Sequence, residues 1–287
     1  MPEVYHIGPL KKRSFFSLFN FSVTMQLIFL NVLCFIIFEI ASLFYNRQIL
    51  ASLFYLTPSL IVSGQNLWTL VTSMFLHGGI FHLFFNMISL FYVGMFLEGI
   101  IGKKRFLSFY LIAGIFAGIF FALSASFFGT TAIGAKIFGN PNIVGVGASG
   151  AIFGLVGLLS VLTPRKKISL IAGPLFAIVL QSTLSFAFPN EPFVGILSAI
   201  LTFYIILSIF SMFSFNPRLI KLILPINMNF WFLPIVAIVP LVIIGLFVPL
   251  PIGNSAHFGG LVVGVIYGFY LRKKFPNKTK HIQRTFR

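Results

Sequence analysis

Residues Gly145 to Gly157 read GVGASGAIFGLVG, and the organisation of the chain follows from them. The stretch closes a polar, glycine-rich connection and opens an apolar helix, with Ser149 at the junction. Gly147, Gly150, Gly154 and Gly157 fall three and four residues apart, so in a continuous helix they share roughly one face. A glycine stripe on an apolar helix lets a neighbouring backbone come close. Far downstream, Asn254 to Gly268 read NSAHFGGLVVGVIYG and repeat the arrangement, with His257 in the leading position and Gly260, Gly264 and Gly268 at intervals of four. Two glycine-striped helices, one led by a serine and one by a histidine, point to a nucleophile and its base joined by close packing.

Composition sets the medium. Of 287 residues, 58% are hydrophobic and only 8% charged, against about 25% charged in soluble domains. Mean hydropathy is +1.03. This describes an integral membrane protein with little left over for a soluble domain. The single cysteine, Cys34, excludes an internal disulfide. The opening MPEVYHIGPLKKR lacks the apolar core of a cleavable signal, so the first long apolar run reads as a retained span. The net charge of +16 would suggest nucleic acid for a soluble protein. Here its distribution reports topology instead, and no nucleic-acid partner is expected.

A spanning helix takes about 20 mostly apolar residues. That test predicts eight spans, near 25–45, 80–97, 106–127, 149–163, 168–188, 193–213, 230–249 and 256–272. The apolar run Ile49 to Val62 is short, interrupted by Pro58 and followed by Gly64, Gln65 and Asn66. It reads as a partly inserted loop packed on the bundle, because irregular backbone at membrane depth must be shielded. With the N-terminus inside, 18 of the 20 Lys and Arg fall on inner segments, and only Arg47 and Lys136 face out. Every inner segment then satisfies the positive-inside rule. Had 49–62 spanned, Lys103, Lys104 and Arg105 would lie outside. Under this topology Ser149, His257, His82 and Asn86 all stand in the first turns of inward-running spans. They converge at one depth below the outer surface.

A serine leading a helix after a Gly-rich loop exposes its hydroxyl beside free backbone N–H groups. A histidine in a bilayer faces the bundle interior or a water-filled cavity and is a functional candidate by default; its ordinary pKa of about 6.5 suits a general base. His82 and Asn86 are four apart on one helix face, with His77 in the preceding loop. His77, His82 and His257 together could ligate a metal. Asn86 and His82 could equally aim N–H groups at a developing oxyanion, which fits better in a chain with no Asp and one remote cysteine. The absence of Asp also excludes a Ser-His-Asp triad. Glu3, Glu98 and Glu191 are poorly placed for one, and Glu39 suits a structural role. A Ser-His dyad without cofactor or metal is the resulting expectation.

These residues resemble the rhomboid intramembrane serine proteases. The resemblance rests on Gly147-Ala148-Ser149-Gly150, on FLHGGIFHLFFNM with His77, His82 and Asn86, and on Ala256-His257-Phe258-Gly259-Gly260, in the family's order. It covers about 25–163 and 230–273. It implies a six-helix rhomboid-like core in an all-α polytopic bundle, with 168–213 inserted as two extra helices between core helices 4 and 5. It implies Ser149 as nucleophile, His257 as base, and His82, Asn86 and the Ser149 amide as oxyanion donors. Phe153 would lie beside the His257 ring; His77, Gly147, Gly150 and Gly260 would support the site, and Glu98 resembles the family's structural glutamate. By the same analogy 46–77 is a membrane-embedded first loop, VPLPIGNS before His257 caps the site, and substrates are single-span membrane proteins. Two departures stand out. Trp68-Thr69 occupies the place where many relatives carry Trp-Arg, and the insertion is a pair of spans, which keeps His257 on the correct side.

The expected layout is a basic tail over 1–24, a membrane domain over 25–273 and a basic tail over 274–287, drawn to an anionic inner leaflet. Both termini are expected in the cytoplasm of a multi-pass cell-membrane protein. A catalytically inactive rhomboid-like protein that binds membrane segments is the alternative.

Overall fold

A computed structural model of the protein describes residues 22–213, 219, 221–247 and 253–286. The basic residues Lys11, Lys12, Arg13, Arg218 and Arg287 and most of VPLPIGNS lie outside them. The longer elements, in order, are α1 (Val23–Phe44), α2 (Ile80–Ile101), α3 (Lys103–Phe128), α4 (Ser149–Leu162), β1 (Lys167–Ile171), α5 (Ala172–Ala187), α6 (Pro192–Phe213), β2 (Pro225–Asn229), α7 (Leu233–Phe247), α8 (Asn254–Lys274) and α9 (Pro276–Thr285). Among the described residues, four helices are long and apolar enough to cross a membrane: α1, α2, α3 and Pro192–Ser211 of α6. The protein is a mostly helical, multi-pass membrane protein.

The first helices are tied end to end. The opening N–H groups of a helix have no intrahelical acceptor. In α1, Val23 and Thr24 donate theirs to the Glu98 carboxylate at 3.0 and 2.8 Å, joined by the hydroxyls of Thr24 (2.7 Å) and Ser22 (3.0 Å). A buried carboxylate at the far end of α2 thereby caps α1 and fixes how the two helices pair. α2 itself passes through a π-helical turn at Leu90–Gly94.

Between α1 and α2 no helix exceeds eight residues: Arg47–Phe54, Pro58–Val62 and Thr69–Thr72 are followed by a 3₁₀ turn at Ser73–Phe75. Side chains from 66–72 satisfy the carbonyls ending the first of these. Asn66 donates to Ser52 O (3.2 Å), Trp68 Nε1 to Leu53 O (2.8 Å) and Thr72 Oγ1 to Phe54 O (2.8 Å). Thr69 is fully buried, and its hydroxyl donates to Asn66 O at 2.7 Å. Leu56 and Gly145 exchange backbone hydrogen bonds, tying this loop to the approach to Ser149. Glu39 is engaged by Arg47 in a two-pronged pair at 2.7 and 2.8 Å.

The serine helix lies at the centre: eleven of the fourteen residues of α4 are buried. It packs on α3 and α8 through small residues. A Cβ added at Gly260 or Gly264 of α8 would strike the carbonyl oxygen of Gly150 or Gly154. One added at Gly150 or Gly154 would stand 2.7 or 2.5 Å from the methyl of Ala117 or Ala113 on α3. Helix backbones can approach this closely only where both faces lack side chains.

Two expectations need correction. The fold is not purely helical: β1 and β2 pair antiparallel, Lys167 opposite Asn229 and Ile171 opposite Pro225, with Ser169 Oγ donating to Asn227 Oδ1. The pairing satisfies backbone groups at the end of the bundle, and α5 accordingly begins at Ala172 rather than 168. Gly147 is not part of the glycine stripe, because α4 starts at Ser149 and Gly147 has φ +120°. After 274 the chain turns at Phe275 into α9, where Gln283 donates to Val161 O at the end of α4.

Candidate active site

α4 and α8 bring together two side chains 108 residues apart. Ser149 Oγ lies 2.8 Å from His257 Nε2. With the ring proton on Nδ1, Nε2 accepts from the serine hydroxyl, the arrangement a general base requires. The imidazole stacks on Phe153, one turn after Ser149, at a centroid distance of 4.3 Å and an interplanar angle of 10°. His257 is buried and Ser149 half-buried. Of the described carboxylates, Glu39 is held by Arg47, Glu98 by the start of α1, and Glu191 sits in the α5–α6 turn. Among the described residues no carboxylate hydrogen-bonds to His257.

Ser149 is the first residue of α4, so its N–H and those following have no acceptor within the helix. Just before it, Gly147 donates to Ser73 O at 2.9 Å and takes its positive φ. This turn brings the backbone against α2. A Cβ on Gly147 would lie 2.9 Å from His82 Nε2 and 3.6 Å from Asn86 Nδ2, so glycine is required for space as well as conformation. His82 Nδ1 accepts a long hydrogen bond from Gly78 N–H (3.4 Å). In the neutral ring that acceptor role leaves the proton on Nε2, the nitrogen facing Gly147. Asn86 is buried and spends one amide hydrogen on His82 O (3.0 Å), which leaves the second free. Two side-chain donors thus stand against Gly147, two residues before Ser149.

His77 stands behind this layer. It is fully buried, meets the His82 ring edge-on at 5.1 Å, and neither of its ring nitrogens has a partner. Among the described residues no three of His, Cys, Asp and Glu form a metal-binding group. The residues that sequence reasoning missed act through backbone atoms, the Ser73 carbonyl and the Gly78 amide. The small pair Ala113 and Ala117 had a visible signal in its spacing of four.

The assembly is that of a polytopic helical membrane protein with a serine and a histidine in contact. A family model described as Rhomboid domain matches residues 64–187 and 168–274. The chain belongs to the rhomboid family. It is similar to Rhomboid protease GluP of Bacillus subtilis, 35% identical over 167 residues, covering 58% of this chain and 30% of that protein. It is similar to Rhomboid protease AarA of Providencia stuartii, 32% identical over 167 residues, 54% of this chain and 56% of that one. It also matches Inactive RHOMBOID-like protein 8 of Arabidopsis thaliana, 30% identical over 99 residues, 34% and 24% of the two lengths. The chain thus spans less than two thirds of each of these relatives.

Proposed function

We propose that the protein is an intramembrane serine endopeptidase that cuts single-span membrane proteins through a Ser149–His257 dyad. The observation that carries this reading is the 2.8 Å contact between Ser149 Oγ and His257 Nε2 in a chain of the rhomboid family. Ser149 Oγ attacks the scissile carbonyl as His257 Nε2 takes its proton. The tetrahedral oxyanion is held by the Ser149 N–H, His82 Nε2–H and Asn86 Nδ2–H. His257 then protonates the leaving amine, and a water activated by the same imidazole releases the acyl group from Ser149. Loss of a correctly orienting acid lowers turnover in a triad enzyme by about 10⁴. In this dyad the Phe153 ring and the α4–α8 glycine contact take over orientation.

The reading extends to the membrane. Eight spans run through a domain over 25–273 that consists of a six-helix core and the inserted pair 168–213. Both termini lie in the cytoplasm, in a cell membrane. α4 has 14 residues and is about 21 Å long, shorter than a hydrocarbon core of about 30 Å. With Arg165, Lys166 and Lys167 at the inner face, Ser149 lies roughly 10 Å beneath the outer one. A substrate helix must unwind at that depth to present its carbonyl.

The test is cleavage of a single-span reporter in proteoliposomes. Ser149→Ala and His257→Ala abolish cleavage, and Asn86→Ala lowers the rate about 10²-fold, as loss of one oxyanion donor does. Cleavage that survives Ser149→Ala rejects the mechanism. Wild-type protein that binds the reporter without cutting it favours the alternative of an inactive membrane-segment binder; one Arabidopsis relative is itself named inactive.

A further inference from the structure

We propose that the seam between α3 and α8, at the basic end of α3, is a binding site for one anionic phospholipid. A cavity of about 290 Å³ opens there. Its lining is graded along the helices. Along α3 the lining runs from Lys104 and Arg105 through Ser108 and Phe109 to Ile112, with Tyr267 and Val263 contributed by α8. The gradation follows from antiparallel packing: α3 leaves its basic end as α8 arrives, so Phe109 meets Tyr267, their rings stacked at 5.0 Å and 15°. Eight residues separate Lys104 from Ile112, about 12 Å of helix.

That order of surfaces matches a phospholipid, with a phosphate between two cations, a glycerol ester level beside the aromatic pair and an acyl chain along aliphatic walls. Lys104 and Arg105 are exposed, and among the described residues no carboxylate lines the cavity. Both cations are therefore open to an external anion. Basic pockets between membrane helices on the cytoplasmic side bind anionic headgroups in this way. A soluble anion would use the mouth and leave the apolar slot empty, whereas a zwitterionic lipid would carry its own cation towards Lys104 and Arg105. The occupant touches both helices that flank the serine helix: α3 carries Ala113 and Ala117 against α4, and α8 carries His257 at its opposite end. A lipid in the seam braces the packing on which the dyad depends, yet its binding is readable without any catalysis.

The experiment is native mass spectrometry of the full chain in detergent. It is titrated with palmitoyl-oleoyl phosphatidylglycerol, with the matching phosphatidylcholine and with glycerol 3-phosphate. One tightly retained phosphatidylglycerol is expected, with neither of the others competing. A close cation is worth about fivefold in affinity, so Lys104→Gln/Arg105→Gln weakens binding about 30-fold. Ile112→Trp, which fills the slot without changing charge, also displaces the lipid. Lys273→Gln/Lys280→Gln removes equal charge outside the cavity and leaves binding close to wild type. Equal weakening by both double variants overturns the site in favour of diffuse attraction. Unchanged binding in Ile112→Trp, or equal retention of phosphatidylcholine, overturns it as well.

Discussion

Gly260→Ala probes the contact on which the dyad rests. The new methyl would strike the Gly150 carbonyl oxygen and stand 3.0 Å from its carbon and 3.3 Å from Gly154 N. Carbon-to-oxygen contacts between packed helices settle at about 3.3–3.6 Å. Neither partner can rotate away, because all the obstructing atoms are backbone. α8 must therefore recede from α4 by about 1 Å, and His257 travels with it. The Ser149–His257 distance of 2.8 Å then stretches beyond the roughly 2.6–3.2 Å over which a base can take the proton. A misplacement of this size costs about 10²-fold in rate. The assay is the second-order rate of Ser149 labelling by a fluorophosphonate in detergent, with far-ultraviolet circular dichroism to verify the helices. Gly99→Ala on α2 is the control: nothing lies within 4 Å of its added Cβ, and helix propensity there favours alanine by about 1 kcal/mol. Wild-type labelling of Gly260→Ala would refute the claim that the glycine interlock sets the dyad distance.

Two further outcomes follow from other contacts. Glu98→Ala removes the acceptor of four hydrogen bonds at the start of α1. Charge-assisted bonds are worth about 1.5–3 kcal/mol each and overlap when they share one group, so thermal unfolding in detergent should show a loss of about 3 kcal/mol. Glu98→Gln should recover part of that loss; equal stability of Glu98→Ala and wild type contradicts the capping role. Phe153→Ala removes the ring stacked on His257 and should lower kcat for the reporter about tenfold or more with little change in KM, since it acts on the orientation of the base. A change confined to KM would make Phe153 a substrate contact instead.

The contact between Ser149 and His257 was legible because it follows from residue identity and helical phase. Ser149 and His257 both head glycine-striped helices, and their meeting follows from two inward-running helices with matching bare faces. His82 and Asn86 were readable as a four-residue pair. The misreading of Gly147 has a definite cause: spacing counts residues as if the helix extended through them, whereas a backbone at φ +120° leaves no trace in spacing. The tautomer of His82 and the seating of Gly147 depend on a backbone amide and a backbone carbonyl, which every residue carries. The same holds for the loop anchors, where Asn66, Trp68 and Thr72 reach carbonyls at the end of a helix whose length the sequence does not display. β1 and β2 pair residues about 58 apart, one of them led by Pro225, and their period of two is too short a run to outweigh the apolar stretches around it.

The central claim is that Ser149 is made nucleophilic by His257 across the α4–α8 contact. Its most direct measurement is peptide mapping of the fluorophosphonate adduct by mass spectrometry, in wild type and in His257→Ala. The account predicts a phosphonylated peptide carrying Ser149 in the wild type and none in the variant. An adduct on another residue, or undiminished labelling of Ser149 without the imidazole, would contradict it.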